Sequence, residues 1–287
     1  MDYLCIGHCC HDKVGEDFIL GGTASYASIV AKFLGKDVSI ITSTGSDFKF
    51  QPKFESLGIS VYNKRARQTT IFENIYSHGK RTQYLLSRAD TISIEDVPSN
   101  LIGSKVIHMC MIAQEFDFST IPRLESGLIG ASIQGAIRKW DDTGLISPSD
   151  MNWEDLANVD VVVLSMEDIA GREDYLSQII RFAGQTVLTK GEHGAVVYKD
   201  GHEYFFPSFP IEEVEATGAG DVFTAAYLIK YQETKNISTA CIYAHCAASI
   251  VIEARGVENL KELGVLDDRV ALYHQRFHSQ LASNLNV

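Results

Sequence analysis

Four short runs set the terms on which this chain can fold. Residues 105–109 (KVIHM), 128–133 (LIGASI), 159–164 (VDVVVL) and 186–189 (TVLT) are apolar, or nearly so, along their whole length. A strand with one wet face alternates apolar and polar residues, whereas a strand buried on both faces does not, and parallel sheets are built from the second kind. The intervals between the runs are long enough for helices or crossover loops. At the start, residues 3–7 (YLCIG) read as a strand, residues 23–34 behind Gly21 and Gly22 have helical spacing, and residues 38–42 form the next strand. A layered α/β fold around a mostly parallel central sheet is the expectation.

The pattern changes between Ile59 and Ser87. ISVYN, TTIFENIYS and TQYLLS alternate, with the turn His78-Gly79-Lys80 between the last two. These segments read as an insertion of antiparallel strands. The expected organisation is one domain over residues 1–287, carrying a small antiparallel lid built from about 12–20 and 59–90. Farther on, residues 195–199 and 203–206 flank KDGH and signal a hairpin. No internal repeat or low-complexity tract interrupts this organisation.

At 287 residues with 45% hydrophobic content the chain can fill a sizeable core. Its formal net charge of −12 is spread without a basic run, which disfavours nucleic acid and anionic membrane surfaces as partners. Small molecules are the expected partners. The six cysteines lie mostly in apolar or small-residue segments, and no apolar stretch approaches the ~20 residues of a membrane span. A reduced, cytoplasmic protein is expected.

Residues 215–228, EATGAGDVFTAAYL, carry the chemistry. Gly218, Ala219 and Gly220 form a turn with almost no side chain, opening a helix whose first acid is Asp221. Backbone N–H groups at such a helix start point one way, and an anionic oxygen can approach them closely. An acid there would repel a resting phosphate. Phosphoryl transfer to an alcohol, however, needs a carboxylate to accept the hydroxyl proton while nearby amides stabilise charge on the transferred group. The alternative is that Asp221 merely caps the helix. Neither GxxxxGK[ST] nor GxGxxG after a strand occurs, so any use of ATP follows another route.

EATGAGD and the early GGTASYASIVAKFLG resemble, in the same order, the two signature motifs of the ribokinase or phosphofructokinase-B family of carbohydrate kinases, from about Tyr3 to Gly256. The resemblance implies a ribokinase-like three-layer sandwich and an ATP-dependent kinase acting on a small polyol or sugar, with magnesium and a monovalent cation such as K+. It implies that Asp221 is the general base, that Gly218, Ala219 and Gly220 form the anion hole, and that Thr217 shapes the phosphate site. It places Asp12, Gly21, Gly22 and Tyr26 against the acceptor. In VLTKGEHGA it sets Thr189 and Gly191 along the nucleotide. In AHCAASIVIEARG it sets His245 and Gly256 beside adenine, although His245 could equally be a satisfied helix histidine.

Within the family the chain resembles the plant-type myo-inositol kinases, through GHCCHD, GGTASYAS, TTIFE and SIQGAIR. A cyclitol is therefore the expected acceptor, with a sugar or nucleoside as the alternative. Gln134 and Arg138 would lie near the acceptor or the triphosphate, unless Arg138 is a surface residue. Three positions depart from the family pattern. Tyr26 replaces an Asn, Glu215 replaces the Asp that opens the late motif, and the Asn-x-x-Glu element becomes Ser165-Met166-Glu167-Asp168. Asp168, or failing it Glu167, would hold magnesium through water.

His8, Cys9, Cys10 and His11 suggest a metal, but neighbours on an extended chain point to opposite faces, and a wall of the acceptor cleft is the preferred reading. The segment with Thr70, Phe72, Glu73 and Tyr76 reads as a lid that excludes water, and a homodimer paired through such lids is expected. A ribokinase-like binder that has lost catalysis is the competing class, motivated by Tyr26 and the altered Asn-x-x-Glu element. The intact GAGD argues against it.

Overall fold

The computed structural model describes residues 1–77, 80–211, 218–253 and 262–281. The chain opens with β1 (Tyr3–Ile6), leaves for β2 (Cys10–Val14) and β3 (Asp17–Gly21), and returns through α1 (Thr23–Phe33) to β4 (Val38–Thr44). A short helix, α2 (Gln51–Ser56), precedes β5 (Ser60–Arg65), β6 (Ile71–Ser77) and β7 (Lys80–Ser87). Then come β8 (Val106–Cys110), β9 (Ile129–Ser132), the small pair β10 (Arg138–Trp140) and β11 (Ile146–Pro148), and β12 (Val161–Ser165). Helix α3 (Asp174–Phe182) leads to β13 (Thr186–Thr189), β14 (Ala195–Lys199) and β15 (His202–Phe206). Helices α4 (Ala219–Thr234), α5 (Ile237–Val251) and α6 (Leu266–Leu281) complete the described chain.

The main sheet runs β15-β14-β13-β12-β9-β8-β1-β4-β5. Every pairing from β13 to β5 is parallel, and only the β13–β14 and β14–β15 pairings are antiparallel. The unbroken apolar runs are explained by two cores. In β1, Tyr3 and Cys5 enter the core under α1, α4 and α5, while Leu4 and Ile6 enter the opposite one. β12 divides Val161 and Val163 from Val162 and Leu164 in the same way. Helix α4 is buried at every position from Val222 to Ile229, so it has no wet face and no amphipathic stripe. The opposite layer is thinner, with α3 and short 3-10 turns at Phe118–Arg123 and Trp153–Asn158. At the β14–β15 turn Asp200 and Gly201 both have positive φ, 52° and 76°, as a two-residue hairpin loop requires.

The lid is a four-stranded sheet in the order β3-β2-β6-β7. Its two hairpins, β2–β3 and β6–β7, are antiparallel, but β2 and β6 pair in parallel at the centre, so the lid is mixed rather than wholly antiparallel. A second correction concerns ISVYN. It is not a lid strand: β5 pairs in parallel with β4 along the edge of the main sheet. As an edge strand it keeps a wet face, which gives it the alternation of a lid segment. The lid is also tied to the body, because Leu85 N donates to Gly144 O (2.8 Å) in the turn between β10 and β11. The turn residues His78 and Gly79 lie outside the described residues, as does the side chain of Tyr76.

Candidate active site

The carboxyl ends of β1, β8, β9, β12 and β13 all open on one edge of the sheet, where open α/β sheets bind ligands. Helix α4 points its N-terminus at the same edge. Its N-cap is Gly218, in the left-handed conformation at φ 82°, and the first intrahelical bond is Val222 N to Gly218 O (2.9 Å). The N–H groups of Gly218, Ala219, Gly220 and Asp221 all precede that bond, so the helix itself supplies them no acceptor. Gly218 is required twice over: by its φ, and because a Cβ would come within 2.6 Å of the Tyr26 ring.

Asp221 is the third residue of α4 and not its cap. Burial raises its carboxyl to about 6, a hydrogen bond from Thr23 lowers it in part, and the charges of Asp12 and Asp168 raise it further. A group held near 6 is ionised at neutral pH yet basic enough to take a proton. Thr23 begins α1 immediately after Gly22 and is buried. It was not singled out in the sequence, although its place directly behind the Gly-Gly pair is the signal that could have found it.

Asp12 lies on β2, opposite Ile19 of β3 and Phe72 of β6. Burial lifts its carboxyl to about 6, and the positive charge of Arg81 on β7 opposes that rise. Gly21 is needed here because a Cβ would sit 2.5 Å from the Asp12 carboxylate. Phe72 is buried with Cys10, Leu85, Ile112 and Ala113 beneath the lid. Gly22, at φ 91°, caps α1. Tyr26 is 4% exposed and its ring packs under Gly218.

Gln134 and Asp168 meet directly. Gln134 Nε2 donates to Asp168 Oδ1 at 2.5 Å, while Asp168 Oδ2 accepts from Ser165 N (2.8 Å) and Ser165 Oγ (2.9 Å). Arg138 joins them. Burial lowers its guanidinium to about 10, the Asp168 charge raises it, Arg81 lowers it and Glu115 raises it. Arg138 itself is half-buried. Glu115 was not foreseen: fully buried, it accepts from the amides of His8, Ile112 and Ala113 and fixes the ends of β1 and β8 beside each other.

Thr189 and Gly191 stand at the end of β13. Thr189 Oγ1 donates to Leu164 O (3.3 Å), and Gly191 has φ 57°. His245 lies on α5. Its ring lies 5.0 Å from Phe223 and 6.5 Å from Tyr273 inside the α4–α5–α6 core, burial depresses it to about 4, and it bonds the Phe206 backbone. Its Nε2 is buried with no hydrogen-bond partner among the described residues, so the ring is packed in the core but not fully satisfied as the sequence alternative had it. Thr217 and Gly256 lie outside the described residues.

The HCCH segment is used structurally. His8 contacts Thr70 Oγ1 (2.8 Å) and Asp90 O (2.9 Å), while His11 is packed among Phe18, Phe48 and Phe50. Among the described residues no three His, Cys, Asp or Glu side chains are grouped as a metal would need. Asp168 has both oxygens engaged, a donor set suited to contact through metal-bound water, whereas Glu167 is exposed. All six cysteines are free and buried, and no helix among the described residues is long and apolar enough to cross a membrane.

Residues 99–262 match the model of the pfkB family of carbohydrate kinases. The inositol 3-kinase of Arabidopsis thaliana is 21% identical over 269 residues, covering 88% of this chain and 74% of that protein. Among solved structures, a pyrophosphate-dependent myo-inositol-1 kinase converted into a myo-inositol-3 kinase superposes with a TM-score of 0.75 at 23% identity, over 93% of this chain and 98% of the other. A fructokinase with bound ATP from Xylella fastidiosa superposes with a TM-score of 0.74 at 17% identity, over 96% and 98% of the two chains. At these identities both structures establish the ribokinase-like fold.

Proposed function

The chain belongs to the pfkB family of carbohydrate kinases, and from that premise we propose that it transfers the terminal phosphoryl group of ATP to a hydroxyl of a small polyol, myo-inositol or a related cyclitol. One observation carries this reading: the Asp221 carboxyl, hydrogen-bonded by Thr23 and raised to about 6 by burial and by the charges of Asp12 and Asp168, sits in the first turn of α4, whose first four amides have no acceptor within the helix. Asp12 accepts hydrogen bonds from acceptor hydroxyls. Asp221 takes the proton of the reacting hydroxyl as its oxygen bonds to phosphorus, and the bond from phosphorus to the bridging oxygen breaks. Charge on the transferred group is received by the amides of Gly218, Ala219 and Gly220 and the positive end of α4. Arg138, beside Gln134 and Asp168, supplies a fixed positive charge on the donor side. Asp168 would hold magnesium through water, and the ion would supply positive charge against the donor phosphates.

Myo-inositol is favoured by the resemblance of GHCCHD, TTIFE and SIQGAIR and by the inositol 3-kinase relative. A second donor is favoured by a specific neighbour: the myo-inositol kinase of similar fold uses pyrophosphate. The test is a phosphoryl-transfer screen in which ATP and pyrophosphate are each offered with myo-inositol, other cyclitols, pentoses, hexoses and nucleosides, with and without magnesium and K+. Transfer to a cyclitol from ATP, abolished in Asp221→Asn, is expected. Silence across the panel would leave the non-catalytic reading, and transfer from pyrophosphate alone would replace the donor.

A further inference from the structure

We propose that His8 and Thr70 pin the root of the lid to the body, and that His8, through this pin, is a positioning residue setting Asp12 against Asp221. This rests on the polyol-kinase reading above. His8 follows the end of β1, and Thr70 immediately precedes β6, one of the two central strands of the lid. Both residues are wholly buried. Thr70 Oγ1 lies 2.8 Å from His8 Nδ1, and Asp90 O lies 2.9 Å from His8 Nε2. Ala89 N, just beyond the end of β7, donates to the same Thr70 Oγ1 (2.9 Å). One imidazole and one hydroxyl therefore join the exit of β1 to both stalks of the β6–β7 hairpin.

The partners decide where the protons stand. A carbonyl oxygen only accepts, so His8 Nε2 carries the hydrogen that Asp90 O receives. In the neutral ring Nδ1 is then bare, and Thr70 must donate its hydroxyl hydrogen to it while its oxygen takes the N–H of Ala89. Protonating His8 would leave that hydroxyl hydrogen without an acceptor in a buried site. Burial lowers the His8 pKa as well, with the charge of Glu115 opposing. The backbone repeats the tie: His8 N donates to Glu115 Oε1 (3.1 Å), Cys9 N to Thr42 Oγ1 (2.8 Å) and His11 N to Thr70 O (3.0 Å). The last of these opens the parallel β2–β6 pairing in which Asp12 stands opposite Phe72. Asp12 thus rises from a segment anchored to β4, to the lid root and to the loop after β8. The two threonines of TTIFE divide the work, since Thr69 Oγ1 donates to Asp47 Oδ1 (2.8 Å) beyond β4 and Thr70 to His8 beyond β1.

The decisive variant is Thr70→Val, which keeps the shape of the side chain and removes the hydroxyl, with Thr70→Ser as its rescue. Steady-state kinetics on the acceptor used by the wild type would be combined with amide hydrogen exchange across the lid. In Thr70→Val the acceptor KM is expected to rise about tenfold, with the donor KM within about twofold of wild type. Exchange in β2 and β6 should quicken while β12 and β13 stay unchanged. Thr70→Ser should bring both readouts back toward wild type. His8→Asn keeps an acceptor for Thr70 and loses the Nε2 donor, so it should fall between; should Thr70→Val not fold, His8→Asn is read by the same criteria. An active wild type whose Thr70→Val form keeps its acceptor KM, raises both KM values alike, or is not rescued by serine overturns this inference and leaves the kinase reading standing. A wild type silent on every polyol removes that reading, and lid exchange then decides the pin alone: unchanged exchange in Thr70→Val overturns it, and faster exchange reversed by serine upholds it.

Discussion

Asp12 and Asp221, one on the lid and one on α4, face each other closely enough for the charge of Asp12 to raise Asp221. Burial raises both carboxyls to about 6. An acceptor whose hydroxyls donate to both would relieve them, so the site is best satisfied when occupied.

The first prediction is a pH profile. Asp221 must be ionised to take a proton and Asp12 to accept from hydroxyls, and both titrate near 6 in the free protein. The kcat/KM measured against pH is therefore expected to be flat above about 7 and to fall below about 6, with a slope approaching two protons. A rate that holds level down to pH 5 would contradict both assignments.

Stability should move the other way. The folded value of Asp221 lies near 6 and the unfolded value near 3.8, so the folded state binds the proton more tightly. The cost of ionising it is absent below about 4, grows between about 4 and 6, and is full above 6, at up to about 3 kcal/mol. Asp221→Asn is expected to raise the unfolding temperature at pH 7.5, with a smaller gain at pH 4.5, while turnover falls by about 10³ or more. Thermal unfolding of both forms at the two pH values checks this, and a variant less stable than wild type at pH 7.5 would refute it.

Gly218→Ala should damage the anion cradle. A Cβ there meets the Tyr26 ring at 2.6 Å and imposes a left-handed strain of about 1 kcal/mol. Turnover is expected to fall more than stability, because the strain lies where the amides converge. The double variant Gly218→Ala with Tyr26→Ala removes the clash but keeps the strain, so it should recover only part of the activity. Full recovery would show that the ring alone sets the turn.

Asp168 and Glu167 should separate cleanly. Asp168→Asn disrupts the bonds from Ser165 and Gln134, and magnesium titration of activity should shift to about tenfold higher concentration. Glu167→Gln, at an exposed position, should titrate like wild type. Equal shifts in the two variants would assign the water-mediated contact to the wrong carboxylate.

How much of this was legible in the sequence depended on how local each signal was. The strands β8, β12 and β13 were readable because burial on both faces leaves few polar positions to break the run: His108 in β8, and only terminal Ser165 in β12 and Thr186 and Thr189 in β13. The GAGD turn was readable because a left-handed glycine, small neighbours and a first-turn acid all sit within four residues. ISVYN was misassigned because an edge strand alternates whichever sheet it joins. β10 and β11, at three residues each, are too short to show a period. Thr23, Arg81 and Glu115 escaped because their meaning lies in partners far along the chain: Asp221 for Thr23, Asp12 for Arg81, His8 for Glu115. His245 sits in an apolar helix whose pattern does not say which way a ring will face.

The bond from Leu85 to Gly144 joins the covering sheet to the short hairpin that begins at Arg138. A flap hinged only at its own two stalks could swing while the phosphate side stood still. Here the acceptor wall and that arginine are stitched into one piece of backbone. Opening the cleft far enough to release a product must either break this seam or carry the guanidinium away together with the roof, so departure of product and dismantling of the donor side belong to one movement.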